Sequence, residues 1–189
     1  MNKYQMTCAI IVACIFLFVT GCSNNRVSTN DEPKLFEFPD GSSMILNQNS
    51  EVEFVMDGET RKVQLEGEAF FKVKKGDVPF EVHTPNGVIT VLGTAFNVRS
   101  SEKELDVEVE AGIVEVETAN CREKLRRGER VLYDDVKKLV KKGQAEFKHH
   151  IWTDEFKNDL RKIGKEVEKN SKKLGKEIKK ISKDIKIKL

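Results

Sequence analysis

The side chains with the widest chemical range in this 189-residue chain are three histidines and four cysteines. His149 and His150 are adjacent and sit beside Trp152. A histidine pair offers imidazole nitrogens to a metal, but a site also needs carboxylates or thiolates at ligand spacing. No carboxylate or thiolate around the pair is read as completing a ligand set, so no metal site is expected. His83 falls in a strand-like run and reads as a solvent-facing or hydrogen-bonded imidazole, not a base. Glu66 and Glu68 share one side of a strand, and Lys72 and Lys74 follow the same spacing, which is ordinary charge decoration. Cys121 has no His or Asp pattern around it and reads as an unreactive thiol. No phosphate loop, nucleophile elbow or calcium loop is present. The chain is expected to hold no catalytic residue, no cofactor and no metal, and not to be an enzyme.

One cysteine has a different chemistry in prospect. After Lys3, an apolar run from Cys8 to Val19 is too short to span a bilayer, which takes about 20 residues. It fits the apolar core of a secretory signal and ends in Val19-Thr20-Gly21-Cys22. An apolar residue, two small residues and a cysteine resemble a bacterial lipobox, in which the cut falls before the cysteine and the cysteine is acylated. On this reading residues 1–21 leave as a lipoprotein signal peptide and Cys22 carries the lipid. More than one acyl chain, at roughly 0.8 kcal/mol per buried CH₂, gives a stable membrane anchor. Residues 22–34, polar and containing Pro33, read as a flexible tether that could extend on the order of 40 Å. Export leaves Cys121 as the one unmodified cysteine, so no disulfide framework is expected. It also argues against nucleic acid as a partner. Ser23 after Cys22 slightly favours the outer membrane of a Gram-negative envelope, facing the periplasm.

The middle of the chain is strand-like. Between Arg61 and Arg99, Val63 and Leu65 alternate with polar residues, as do Ala69, Phe71 and Val73, then Phe80 and Val82, Ile89 and Val91, and Phe96 and Val98. This period of two marks half-buried strands, and the polar alternate positions predict one wet face per sheet. Asn86-Gly87 between two runs predicts a tight hairpin with both residues at positive φ. Similar short runs begin at Leu35 and continue to Val140. Many short strands between turn signals predict a compact all-β sandwich, roll or solenoid over residues 35–148.

Five segments, FPDGSSMILNQNSEVEF, RKVQLEGEAFFKV, PFEVHTPNGVITVLGTAFNVR, VEVEAGIVEV and LRRGERV, occur in the order found in FecR-type domains. Over roughly Leu35 to Tyr133 the chain resembles these periplasmic domains of iron-dicitrate-type sensor regulators. The resemblance implies a mainly-β binding module. It also implies structural turn roles for Asp40, Gly41, Ser42 and Asn47. Family regulators of sigma factors carry a cytoplasmic domain and a membrane helix ahead of this domain. Here a signal and lipobox stand in their place, and the short domain that often follows is not recognisable. These departures argue against direct contact with a sigma factor, and what the resemblance implies is an anti-sigma-factor-like periplasmic module that binds another envelope protein, such as the signalling domain of a TonB-dependent transporter.

From Thr153 the period changes. Phe156, Leu160, Ile163 and Val167, then Leu174, Ile178, Ile181 and Ile185, form a heptad-type stripe with Asn170 in its seam. Thr153 with Asp154-Glu155 suggests the helix start. Residues 149–189 are thus expected to be a basic amphipathic helix, and over about 33 residues its stripe would run roughly 50 Å. The stripe could form a coiled coil with itself or a partner, pack on the β domain, or lie on anionic lipid. Charge is split. Asp31–Ala119 holds 19 acidic and 8 basic residues, whereas Asn120–Leu189 holds 12 and 23. Two functions follow from these features. One is a lipid-anchored sensor or adaptor contacting an envelope protein. The other is a scaffold lipoprotein that oligomerises or grips the envelope through its helix.

Overall fold

The computed structural model describes residues 25–186. Within the helix, side chains are described as far as Lys172, except those at positions 163, 166, 167 and 170. The expected signal segment and Cys22 lie outside the described residues. So do the side chains of Ile163, Val167, Leu174, Ile178, Ile181 and Ile185.

The fold is mainly β. Its strands are β1 (Arg26–Ser28), β2 (Lys34–Glu37), β3 (Ser43–Leu46), β4 (Glu51–Met56), β5 (Arg61–Lys72), β6 (Phe80–Thr84), β7 (Gly87–Val91), β8 (Ala95–Ser100), β9 (Glu104–Ala111), β10 (Ile113–Glu117), β11 (Arg122–Arg126), β12 (Glu129–Asp134) and β13 (Leu139–Gln144). Among the described residues a single helix, α1 (His149–Lys186), follows them. Among the described residues, no helix is long and apolar enough to cross a membrane.

The organising element is β5. Its first half, Arg61–Glu66, pairs antiparallel with β4 and parallel with β6. Its second half, Gly67–Lys72, pairs with β3 and β8. The strand thus runs from one sheet, in the order β1-β4-β5-β6-β7-β10-β11, into a second, β2-β3-β5-β8-β9-β12-β13. The change of sheet is made at Gly67, which has φ 98°. A Cβ there would lie 2.3 Å from Ser50 Oγ and 2.9 Å from Ser50 Cα. Only glycine satisfies both the dihedral and the approach.

The result is one curled sheet closed on a single core. Val63, Leu65, Ala69, Phe71, Phe80, Val82, Ile89, Phe96 and Val98 have no exposed surface, as their alternation predicts. Rings reinforce the packing: Phe71 stacks on Phe96 at 5.3 Å, and Phe38 meets Phe80 edge-on at 5.8 Å.

Four expectations are corrected. The stretch 22–34 is not a free tether along its length. β1 pairs with β4, the amide of Thr29 donates to Ser50 O at 2.9 Å, and that of Asn49 to Asn30 O at 2.7 Å. One buried side chain, Val27, together with backbone hydrogen bonding, places this polar run in the domain. The hairpin between β6 and β7 turns on Pro85-Asn86, with Thr84 opposite Gly87. Neither Asn86 nor Gly87 has positive φ. Pro85 restricts its own φ to about −65°, which excludes the mirror-image turn. Gly87 serves close approach instead, since a Cβ would lie 2.5 Å from Glu117 O. The second sheet's outer face is not wholly wet, because Asn97, Asp106 and Glu108 point away from the core and are still buried.

The fourth correction concerns the helix start, which falls at His149, not Thr153. Phe147 at φ 51° turns the chain, and the amides of His150 and Ile151 donate to Phe147 O and Lys148 O. Thr153 is fully buried inside the helix. Packing of His149 and Thr153 against the sheet outweighs the capping preference that favoured a later start.

Candidate functional site

Where the chain leaves β13 and enters α1, it crosses the outer face of the second sheet and covers a tract of charged side chains. β9 supplies Asp106, Glu108 and Glu110, on alternate positions of one face. β12 supplies Arg130, whose Nε donates to Asp106 Oδ1 and Nη2 to Asp106 Oδ2, each at 2.8 Å. Its Nη1 donates to Glu146 Oε1 at 2.8 Å. The hydrogen bond to Asp106 raises the Arg130 pKa well above its ordinary value. Burial opposes this, and the charges of Asp106, Glu108 and Glu146 add to the rise. The amide of Glu146 donates to Glu108 Oε1 at 2.8 Å. Arg130 and Glu108 therefore clamp the segment that leads into the helix. Arg99 also reaches Asp106, at 3.1 Å.

Arg130→Met should cost about 2 kcal/mol by urea unfolding, since a forked charge-assisted pair is lost while Arg99 still faces Asp106. Amide exchange between Glu146 and Thr153 should speed up more than exchange in β5.

The first turn of α1 presses two histidines against this tract. The His149 ring stacks on Phe70 at 4.9 Å and 15° and is 1% exposed. Its Nδ1 lies 3.5 Å from Glu108 Oε2, and its Nε2 lies 3.4 Å from Glu110 Oε2. The His150 Nε2 lies 3.1 Å from the same Glu110 oxygen. Burial pushes the His149 pKa down, and the neighbouring carboxylates of Glu110 and Glu108 only partly oppose it. For Glu110, burial would raise the pKa, but the hydrogen bonds from His150 and His149 together outweigh it and hold the carboxyl low. Sequence spacing gave no sign of this grouping, because Glu110 and His149 stand 39 residues apart. The premise that no acid accompanies the histidine pair is thereby corrected.

Beyond the histidines the helix parts from the sheet. Lys157 Nζ lies 5.5 Å from the centre of the Phe70 ring, and Phe156 is half-buried. Leu160 is 39% exposed and borders a groove of ≈ 280 Å³ with Leu35, Ile45 and Phe70. Past it, the described side chains, from Arg161 to Lys172, are all exposed.

The turn residues form a separate network at the β2–β3 hairpin. Asp40 Oδ1 accepts from the Ser42 amide at 2.9 Å, and Oδ2 accepts from Ser42 Oγ at 2.7 Å and from Arg61 Nε at 2.9 Å. Gly41 has φ 80°. Asn47 lies apart from them, its Nδ2 donating to Glu68 Oε2 at 3.0 Å and its Oδ1 accepting from the Gln48 amide at 2.8 Å. Arg61 is the network's missed member. It is 8% exposed and also donates to Val78 O and Lys74 O, each at 2.8 Å. Its position in an alternating strand pattern, where a buried apolar residue would be expected, was the available signal.

The FecR protein family matches residues 25–115, starting one residue before β1. Residues 25–115 are thus similar to a FecR domain. Two crystal structures of a candidate anti-sigma factor from Parabacteroides distasonis, at 1.65 and 2.50 Å resolution, are similar in sequence and shape. They are 30% and 29% identical, each with a TM-score of 0.60, and the match covers 63% of this chain and 59% of theirs. No curated protein matches. The matched segment holds all of β1–β9, including β5 and its bend at Gly67. The second sheet is completed by β12 and β13, which lie after the family match, and α1 follows them.

Proposed function

We propose that this chain is a lipid-anchored regulatory protein of the cell envelope, a sensor or adaptor whose FecR domain and α1 together contact another envelope protein. The anchor is Cys22, acylated after removal of residues 1–21, and the domain faces the periplasm from the outer membrane. The partner is the signalling domain of a TonB-dependent transporter or a related component. The family match and the resemblance to a candidate anti-sigma factor support a role in signal transduction.

The observation that carries the partner reading is the course of α1. Its root is buried on the second sheet at His149 and Thr153. The described side chains past Leu160, none of which belongs to the stripe, are exposed, and in the sequence the stripe begun by Phe156 and Leu160 repeats with heptad spacing to Ile185. A helix of 38 residues, about 57 Å long, needs a partner surface for such a stripe. The groove at Leu35, Ile45, Phe70 and Leu160 gives that partner a place to start on the domain.

Affinity capture from detergent-solubilised envelopes tests this. The full chain is compared with one ending at Arg161, which keeps the buried root. Capture of a TonB-dependent transporter, at least tenfold weaker on truncation, is the expected result. A chain that recovers only itself, and falls to a monomer on truncation, is instead the scaffold lipoprotein whose stripe pairs with its own copy, and the adaptor reading fails.

A further inference from the structure

We propose that Glu110, His149 and His150 form a binding site for a divalent cation of the zinc class, which ties β9 to the first turn of α1. This goes beyond the regulatory reading and does not depend on it.

The ligand atoms are one carboxylate oxygen and two imidazole nitrogens, all within 4.8 Å of one another. Around a tetrahedral zinc ion with bonds of roughly 2.0–2.1 Å, neighbouring ligand atoms stand about 3.3 Å apart. The distances from Glu110 Oε2 to His150 Nε2 and to His149 Nε2 are 3.1 and 3.4 Å. The set has the chemistry zinc takes, two nitrogens and an oxygen, with a fourth position open to solvent beside the half-exposed His150.

The protons available to His149 favour the same ion. A neutral imidazole has one N–H. His149 faces a carboxylate at each nitrogen, Glu108 at Nδ1 and Glu110 at Nε2. In the neutral imidazole, with no cation present, one nitrogen lone pair points at a carboxylate lone pair beside a side chain that is 1% exposed. Nδ1 has no hydrogen-bond partner. With the N–H on Nδ1 toward Glu108, Nε2 presents its lone pair to the space shared by Glu110 and His150. A carboxylate behind the distal nitrogen is the usual way a ligating histidine is oriented. Glu108 is itself fixed by the Glu146 amide, so the orienting group is rigid. The ion would replace the clash of lone pairs with three bonds across the joint between sheet and helix.

The test uses the full chain in detergent, stripped of metal, and titrates Zn²⁺ by calorimetry. Co²⁺ is then added to read the ligand type from its d–d absorption, in which cysteine ligation would show added charge-transfer bands. Wild type should bind one Zn²⁺ with micromolar or tighter affinity, with a nitrogen–oxygen Co²⁺ spectrum, and its Tm should rise. Glu110→Gln and His150→Ala alter half-exposed side chains, and circular dichroism should show the fold retained. Each should weaken Zn²⁺ by more than the roughly 10–100-fold that losing an outer partner costs, and Glu108→Gln should fall within that range. His83→Ala should change nothing, since His83 pairs with Glu81 away from this site. Absence of Zn²⁺ binding by the wild type, a sulfur-type Co²⁺ spectrum, or equal affinity in Glu110→Gln and His150→Ala would each overturn the proposal.

Discussion

Gly67→Ala is expected to lower the unfolding free energy by about 3–5 kcal/mol, the sum of a strained backbone and an overpacked contact. A loss of this size approaches the whole stability of many domains, so the variant should be recovered largely unfolded or in the insoluble fraction. Both causes are visible. The residue sits at φ 98°, and its missing Cβ would meet Ser50 Oγ, Cβ and Cα between 2.3 and 2.9 Å. Ser50 cannot withdraw freely, because its Oγ accepts from the Glu68 amide at 3.0 Å and donates to Gln48 O at 3.1 Å. Gly58→Ala separates the two causes. Gly58 has φ 95°, with nothing within 4 Å of the added carbon, so only the backbone cost of about 1–2 kcal/mol should appear. Urea unfolding of both variants decides the matter. Equal losses would mean that the second sheet can shift off Ser50, and that β5 is not pinned at its bend.

Arg61→Leu should cost about 3 kcal/mol, although leucine suits the alternation of β5. Arg61 ties the β2–β3 turn, through Asp40, to the segment after β5, through Lys74 O and Val78 O, and Ser42 Oγ adds a second link by accepting from the Lys74 amide at 3.0 Å. Its removal leaves the Asp40 carboxylate, 18% exposed, without its cation, and leaves two carbonyls without a donor. Breaking one member of a buried pair is costly because the other charge remains. Asp40→Asn should cost less, since an amide can still accept from the Ser42 amide at the same place. Thermal melts would rank the two. A larger loss from Asp40→Asn would shift the weight of the network from Arg61 to the turn itself.

The core strands were legible because alternation is local. Val63, Leu65, Phe71, Phe80, Val82, Phe96 and Val98 needed only their neighbours to be assigned to one face. What lay hidden depends on pairing at a distance. β1 has a single apolar residue, Val27, in a polar run, and its strand character comes from β4. The bend at Gly67 could be suspected from the glycine, but its partner Ser50 is reached only through the fold. The turn at Pro85-Asn86 was legible and the more familiar Asn-Gly pattern obscured it. The candidate cation site needed three contributions from two elements, with β9 bringing an acid to histidines far along the chain. The histidine at its centre was visible, but its surroundings were not. Helix start signals misled for a related reason, as Thr153 is recruited into the buried face and is not free to cap.

The docking of β1 shortens the leash. A tether from Cys22 to Lys34 would let the domain sweep a hemisphere about 40 Å in radius. With the Asn25 carbonyl already accepting from the Phe54 amide at 2.8 Å, the three residues from Cys22 to Asn24 could contribute a reach of at most about 10 Å. For a chain anchored at Cys22 the accessible volume then falls by roughly the cube of that ratio, on the order of sixtyfold, and the local concentration seen by a membrane neighbour rises to match. A domain held in this way would meet partners that stand beside it at the bilayer surface.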